Sequence, residues 1–307
     1  MDFSNYKYSI EQCDISEVRR NTLTAYREHR QNCLDRLQGR DDTSIARQIR
    51  DLIWHTMTYR TLNEARRIET GRSVNGELWH LVTAGYASLM TMGIRRLVDK
   101  NKDAMSVYTL IEKISKRPEF LTRELFVCYD GLPFDHEQAF RQYGSQYLSG
   151  QVYRPEMFGP GAWGVSEMRH KAFSRVSGDA GKQKRCDKIP ASIFSDLKER
   201  LKVPVVVKVC TMADKVVAHT ENVPDDKPVP IATYNDIDEA LGVIIRVANA
   251  IGLYFFFDQP FGDIVPTPQY DFFASLDQPW VLTENLPALA VYWQEQKMQL
   301  DRLAYVD

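Results

Sequence analysis

Residues 211–222 read TMADKVVAHTEN, and the segment from residue 205 that leads into them decides the fold expected for this chain. Apolar residues there recur at spacings of three and four, which predicts an α-helix packed along a broad face. One apolar stripe consists of Val205, Val209, Met212 and Val216, and the adjoining stripe consists of Val206, Cys210, Ala213 and Val217. His219 continues the first stripe, so the segment is predicted to be a packed helix that ends in a histidine.

The neighbours of His219 leave two interpretations of this helix end open. Lys215 precedes His219 by four residues, so their side chains share one flank of an α-helix, whereas Asp214 is rotated away by about 140°. Imidazole transfers protons near neutral pH and a cation can hold a phosphate, so these groups, with Thr220 or Asn222, suffice for metal-independent RNA cleavage. Alternatively, His219 caps the helix C-terminus, where the helix dipole favours a partly positive ring.

Helical periodicity dominates the rest of the chain and predicts an all-α fold, a bundle of roughly seven helices with an irregular, partly helical insertion. The first two-thirds of residues 77–99 are apolar nearly all round, which is typical of a central core helix. No convincing alternating strand is visible in the sequence. Helices are expected over residues 14–37, 44–68, 77–99, 106–128, 193–201, 205–218, 234–257 and 286–304.

Residues 131–190 differ from their surroundings, because many aromatic residues, glycines and prolines are followed by a basic polar stretch. This composition predicts an insertion or mobile lobe in a helical domain made of residues 1–130 and 191–307, with helical pieces at 137–148 and 164–176. Its aromatic rings and its basic cluster predict contacts with RNA bases and phosphates. The alternative is a satellite core under a solvated loop. The basic cluster consists of Lys182, Lys184, Arg185 and Lys188.

Composition excludes several classes of protein. The 307 residues carry a net charge of −2 with a pI of about 6.3, so the chain as a whole is not a polycation that binds nucleic acid by charge alone. Five scattered cysteines without a CxxC pair, and histidines without ligand spacing, predict no disulfide framework, no metal and no cofactor. The polar N-terminus and the short apolar run 240–257, interrupted by Arg246 and Asn249, predict no membrane partner and a cytoplasmic location.

The segment ADKVVAHTEN, residues 213–222, resembles the end of the signature helix of HEPN proteins, particularly of the abortive-infection AbiU-like branch. That signature is an arginine followed four to six residues later by a histidine. A second passage, GIRRLVDKNKDAMSVYTLIEKI at 93–114, is similar to the Arg-Leu-x-Asp segment and following helix of that branch. The resemblance implies a HEPN-like helical bundle that commonly dimerises through the signature helices. It also implies, in many members, a metal-independent endoribonuclease that acts as a toxin or antiviral effector.

The resemblance assigns roles to the residues of the opening segment. His219 corresponds to the signature histidine, Lys215 to the lysine before it, and Asp214 to the polar residue that follows the arginine. The arginine itself is missing, because the positions where it should lie hold Met212, Ala213 and Asp214. Arginine offers phosphate a planar, permanently charged fork, which alanine does not replace.

Other cations can compensate for the missing arginine. Lys215 can substitute for it, or Arg95 or Arg96 can approach from another helix. Alternatively, either arginine pairs with Asp99 on its own helix, an ordinary contact between residues three or four apart.

Two functional hypotheses follow from these residues. The first is a HEPN-like, non-catalytic module of a bacterial defence or toxin–antitoxin system, which binds RNA or a protein partner and forms a homodimer. The alternative is a metal-independent endoribonuclease toxin with His219, Lys215 and Asp214 as catalytic residues at a dimer cleft. The residues predicted to contact RNA are Arg95, Arg96, Lys182, Lys184, Arg185 and Asn222.

Overall fold

The computed structural model divides the chain into two compact units, Met1–Val265 and Pro266–Asp307. Within the first unit, the predicted boundary between residues 131–190 and the remaining helices stays a prediction. The described residues are 6–69, 75–144, 157–178, 181, 183–218, 230–262, 264–265, 267–274, 276, 278, 281–301 and 303.

The described residues are helical in both units. No strand occurs among them, although Thr122 and Lys188 form an isolated antiparallel bridge. The second unit contains a 3-10 turn, Thr283–Asn285, and α11 (Leu286–Asp301). The all-α prediction is therefore confirmed. The first unit contains α1 (Glu17–Gln38), α2 (Ile45–Ile68), α3 (Gly76–Leu97), α4 (Val107–Ser115), α5 (Arg123–Cys128), α6 (His136–Tyr143), α7 (Trp163–Ser177), α8 (Ser192–Arg200), α9 (Pro204–Met212) and α10 (Tyr234–Ile251).

The described part of the chain contains more helices than the roughly seven predicted. The segment 106–128, predicted as one helix, is divided between α4 and α5 by the 3-10 turn Pro118–Phe120. Pro118 ends the preceding helix because proline lacks a backbone donor and clashes with the turn before it. In addition, α6 and α7 lie within residues 131–190, where helical pieces are predicted.

Two helices begin at capping boxes. In each, the side chain of the N-cap residue accepts a hydrogen bond from the backbone N–H three residues later, and the side chain of that later residue accepts one from the N-cap N–H. At α4, Ser106 Oγ accepts from the backbone N–H of Thr109 at 3.1 Å. At α10, Thr233 Oγ1 accepts from the N–H of Asp236 at 3.2 Å. Lys208 on α9 donates to Asp236 at 2.8 Å, and hydrogen bonds from Lys208 and Thr233 lower the pKa of Asp236 to about 2. The start of α10 is thereby tied to α9.

The core of the first unit includes buried side chains of α1, α2, α4, α9 and α10 and of the last third of α3. Its central side chains are completely buried. Each such aliphatic side chain stabilises the fold by about 1.5–3 kcal/mol relative to an exposed position. Examples from five helices are Leu23, Ile49, Ile94, Leu110 and Ile244.

The prediction that residues 77–99 form a central core helix is wrong for their first two-thirds. Leu81 is 69% exposed and Leu89 is 43% exposed, whereas Ile94 near the other end is completely buried. Gly93 lets this end approach α2 closely, because a Cβ atom there would lie 2.5 Å from Cδ2 of Leu52. Apolar composition alone does not bury a helix. Rings of α2 and α10 contact Trp79 and Tyr86 in the first two-thirds of α3, but its completely buried side chains lie in the last third.

The most apolar segment of the chain is the helix that ends in a π-helical turn, Tyr234–Phe256. By length and composition alone this segment is able to cross a membrane. However, 56% of its most apolar window is buried inside the protein, as in the core helix of a folded domain. The apolar run 240–257 of the sequence therefore belongs largely to a buried helix.

Buried contacts hold the described parts of residues 131–190 against α5. Arg123 on α5 is completely buried, and its Nε donates to Asp187 Oδ2 at 2.9 Å. Its NH1 donates to the carbonyl oxygen of His170 at 3.2 Å and to Ser174 Oγ at 3.0 Å, both on α7. The backbone N–H of Arg123 also donates to the carbonyl oxygen of Asp187 at 2.9 Å. One buried guanidinium therefore joins α5 to two parts of this region.

His170 on α7 is a buried neutral histidine. Its Nε2 lies 2.9 Å from the carbonyl oxygen of Phe134, to which it donates, and its Nδ1 has no hydrogen-bond partner among the described residues. Burial lowers the pKa of His170 to about 4, an effect that the Phe134 carbonyl opposes and that nearby His136 and Arg123 reinforce. A proton on this ring is therefore unfavourable in the folded chain.

We expect the stability of the protein to fall between about pH 6.5 and about pH 4 because of His170. The unfolded chain has the higher pKa and takes up its proton first, so the stabilisation is complete above pH 6.5 and is lost as the pH falls to about 4. His170→Gln, which keeps a donor toward Phe134, should remove a contribution on the order of 2 kcal/mol to this dependence. Urea unfolding at several pH values measures it, with exposed His80→Gln as the matched control. Equal pH dependence in both variants would contradict the expectation.

Candidate functional site

The predicted signature helix is observed as α9 followed by a π-helical turn, Ala213–Ala218. Val206, Val209 and Ala213 are buried, whereas Val216 is 49% exposed. The two apolar stripes predicted to reach 216 and 217 are therefore a single buried stripe that ends at Ala213. The reason is the π-helical turn, whose hydrogen bonds join residues five apart, so that α-helical spacing no longer returns to the same face. Such turns occur frequently at functional sites.

Arg95 reaches this turn from the C-terminal end of α3. Its Nε lies 2.9 Å from Asp214 Oδ1 and 3.2 Å from Oδ2, and its NH1 lies 3.3 Å from Asp99 Oδ2. Burial lowers the pKa of Arg95, but the carboxylates of Asp214 and Asp99 raise it more, so the net pKa is raised. Two alternatives foreseen for Arg95, approach from another helix and pairing with Asp99, thus occur together.

A cleft of about 300 Å³ surrounds this ion-pair group. We name it the motif cleft. Its polar lining outside the group includes Lys202, which is paired with Glu199 at 2.6 Å, and Cys210. Burial raises the pKa of the Cys210 thiol to about 11, against the opposing effect of Arg95. Because only a thiolate is nucleophilic, Cys210 is not an activated nucleophile. The motif cleft is lined by Arg95, Val98, Asp99, Lys100, Tyr108, Leu201, Lys202, Val206, Val207, Cys210, Thr211 and Asp214.

The structure describes only some of the residues predicted to be catalytic or to contact RNA. Asp214 and Lys215 are exposed on the π-helical turn. His219, Asn222 and Lys182 lie outside the described residues. The structure therefore brings Asp214 together with Arg95, and their relation to the predicted histidine stays a prediction.

The remaining residues predicted to contact RNA lie in different surroundings. Arg96 is exposed on α3 and forms no ion pair among the described residues. Lys184 is exposed and its backbone N–H donates to Asp187. Arg185 donates to Glu124 at 2.8 Å and to Asp14 at 2.6 Å, so its guanidinium holds the chain against α5 and the residues before α1. The role of all three in RNA binding stays a prediction.

Sequence reasoning did not find several residues of the motif cleft. Tyr108 and Lys202 come from segments separate from Arg95 and Asp214 and lack a local pattern that would group them with the ion pair. The spacing of Arg95 and Asp99, four residues apart on one helix, was the signal available in the sequence.

The charges of the ion-pair group make it a poor site for a phosphate. Arg95 contributes one positive charge, and Asp99 and Asp214 contribute two negative charges, so the group carries a net negative charge. A guanidinium fork occupied by carboxylates does not present its donors to a phosphate. No histidine lines the motif cleft among the described residues, which also hold no group of three metal-ligating side chains.

Comparison with known proteins identifies one family. The family model described as HEPN_AbiU2: AbiU2 matches residues 42–276, which include α3, α9, the π-helical turn and the motif cleft. Searches of curated proteins and of solved structures each found no match.

Proposed function

The chain belongs to the HEPN_AbiU2 family, and from this premise we propose that it is a non-catalytic HEPN protein of a bacterial defence or toxin–antitoxin system. In this proposal the protein acts by binding RNA or a protein partner. The alternative within the same family is a metal-independent endoribonuclease toxin that uses His219 at a dimer cleft.

The ion-pair group of Arg95, Asp99 and Asp214 is the observation that carries the proposal. RNA cleavage without a metal requires donors or cations that stabilise the developing charge on the phosphate. The arginine of the signature is replaced in sequence, and the arginine that approaches from α3 donates to two carboxylates. A phosphate would have to displace these carboxylates against their negative charge. The ion-pair group is therefore what we expect of a HEPN protein that has lost catalysis and retains the packing of α3 against the signature helix.

A homodimer is part of the proposal. Val207 on α9 is 50% exposed and Val216 on the π-helical turn is 49% exposed, so apolar side chains face solvent along the signature helix. Exposed apolar side chains are suited to an interface with a second copy. Light scattering of the purified protein measures its mass, and a monomer would remove this part of the proposal.

We expect the purified protein not to cleave RNA. The experiment incubates a labelled single-stranded RNA in EDTA with the wild-type chain, with His219→Ala and with Asp214→Asn. In the non-catalytic reading, His219→Ala leaves the RNA as intact as the wild type does. Asp214→Asn removes one carboxylate from Arg95 without restoring catalysis.

The matched variant separates a real nuclease from a contaminant. Cleavage by the wild type that disappears in His219→Ala would overturn the non-catalytic reading and establish the endoribonuclease alternative. Equal cleavage by both preparations would point to a contaminating nuclease, because the predicted catalytic group is absent from one of them. The preparations must then be repurified until the wild type is either inactive or selectively active.

A further inference from the structure

We infer that a second cleft, between α1 and α4, binds the phosphate backbone of a single-stranded polynucleotide. We name it the basic cleft. It has a volume of about 690 Å³ and is distinct from the residues predicted to contact RNA. The inference specifies a ligand for the proposed binding module and rests on that proposed function. The cations that line the basic cleft are Arg36, Lys100, Lys102, Lys113, Lys116 and Arg117.

The positive charge of the basic cleft is largely uncompensated. Its four lysines form no ion pair within the part of the chain that the structure describes, although Lys113 donates to Asn32 at 2.6 Å. Arg36 donates to the carbonyl oxygen of Ala104 and to a hydroxyl, which are neutral acceptors. The carboxylate that lines the cleft, Glu112, is itself paired with Lys198. Arg117 is paired with Glu119, but the other five lining cations have no carboxylate partner among the described residues. Cations that converge in this way repel one another, and an anionic ligand would relieve this repulsion.

His29 lies in the wall of the basic cleft, close to two of its cations. Burial and the nearby charges of Arg117 and Lys113 together lower the pKa of His29 to about 4, against the opposing effect of Glu119. His29 therefore stays neutral at physiological pH and adds no positive charge of its own. The positive charge of the basic cleft therefore comes from its lysines and arginines alone.

The lining of the basic cleft favours a single strand, because the bases of a single strand are free to contact an aromatic ring. Tyr108 projects among the cations, with the amine of Lys100 at 5.6 Å from its ring centroid. Surfaces that bind single strands combine cations that follow the backbone with aromatic rings beside the bases.

The basic cleft borders the motif cleft, because Lys100 and Tyr108 line both. The whole chain carries a net charge of −2, so this local concentration of cations is what can attract a polyanion.

The test measures binding of a labelled oligouridine of about 15 nucleotides by fluorescence anisotropy at several salt concentrations. The cleft variant is the triple substitution Lys102→Gln, Lys113→Gln and Lys116→Gln. Each phosphate contact to a single strand contributes about 0.7 to the slope of log affinity against log salt. Loss of three contacts should therefore reduce the slope by about 2 and the affinity roughly 100-fold at about 0.1 M salt.

A matched variant removes the same charge outside both clefts and outside the residues predicted to contact RNA, by Arg67→Gln, Lys171→Gln and Arg175→Gln, all three exposed. We expect it to bind as the wild type does, and thermal melting checks that both variants are folded. Loss of binding in the matched variant with retention in the cleft variant would overturn the inference, as would absence of binding by the wild type. Binding of polyglutamate in place of polynucleotide would overturn it too. Oligothymidine DNA distinguishes the source of the strand: binding of RNA alone, or of both, through the cleft lysines supports the cleft.

The cleavage experiment tests the proposed function and the binding experiment tests the basic cleft, so either proposal can be contradicted without the other. If the wild type cleaves RNA in EDTA and His219→Ala does not, the non-catalytic function fails while the lysine dependence of binding stands. If no preparation cleaves RNA and the cleft variant binds as tightly as the wild type, the proposed function survives and the basic cleft does not.

Discussion

Replacing Asp187 by alanine is expected to lower the free energy of unfolding by about 3–5 kcal/mol, the cost of removing one partner from a buried ion pair. The side chain of Arg123 is completely buried and that of Asp187 is 11% exposed. The guanidinium also lies 4.5 Å from the ring centroid of Phe173 and donates to α7. Because these contacts hold it in place, its charge would stay buried without a counter-ion.

An exposed ion pair provides the matched control for this substitution. Glu64 and Arg67 form a pair on α2 with side chains that are 55% and 70% exposed. Glu64→Ala should change the free energy of unfolding far less than Asp187→Ala does, because water already solvates both charges. Urea unfolding followed by circular dichroism measures both variants. Equal effects of Asp187→Ala and Glu64→Ala would show that burial does not strengthen the Arg123 pair.

Replacing Asp130 by alanine is expected to cost a similar 3–5 kcal/mol, and adding Arg169→Met should restore most of the loss. Asp130 accepts two hydrogen bonds from Arg169, each 2.7 Å long. Their side chains are 13% and 8% exposed, respectively. The single substitution leaves a buried guanidinium unpaired, whereas the double substitution removes both charges and leaves an apolar side chain of similar length.

The surroundings of Arg169 explain why it needs this carboxylate. Three guanidiniums gather around Tyr129: Arg169 lies 4.7 Å and Arg30 4.3 Å from its ring centroid, and Arg27 donates to its carbonyl oxygen at 2.9 Å. Burial lowers the pKa of Arg169, but Tyr129 and Asp130 raise it more, so the net pKa is raised and the side chain stays charged.

A double-mutant cycle isolates this interaction. Asp130→Ala, Arg169→Met and the double variant are compared by urea unfolding at neutral pH. A double variant within about 1 kcal/mol of the wild type, with Asp130→Ala far below it, is the expected result. Additive losses in the two single variants would contradict it, because they would mean that each residue stabilises the fold independently of its partner.

The helical character of the chain could be predicted because periodicity and capping are local. Thr233 and Asp236 provide the reciprocal hydrogen bonds that begin α10, and both lie within one turn of sequence. Pro118 shows the limit of such reading, since the apolar pattern passes over it while the backbone cannot continue the helix. Local signals thus predicted most helices, but the segment 106–128 was predicted as one helix where the structure has two.

Burial was less predictable, because it depends on which helices are neighbours. The first two-thirds of α3 are apolar on nearly every side, yet Leu81 is 69% exposed. The buried stripe of α9 ends at Ala213 because the π-helical turn changes the spacing of the following residues. The pattern of hydrophobic residues does not predict this switch from α-helix to π-helix.

The sequence by itself determined an all-helical chain and its HEPN resemblance, since both depend on residues a few positions apart: the helical repeat, and the spacing of Asp214 and Lys215 before His219. Only the tertiary structure decided which cation meets the signature helix. Arg95 lies 119 positions before Asp214, and their 2.9 Å contact exists because α3 packs beside α9. The basic cleft likewise depends on packing, because Arg36 of α1 joins the lysines of residues 100–116 only where α1 lies against α4.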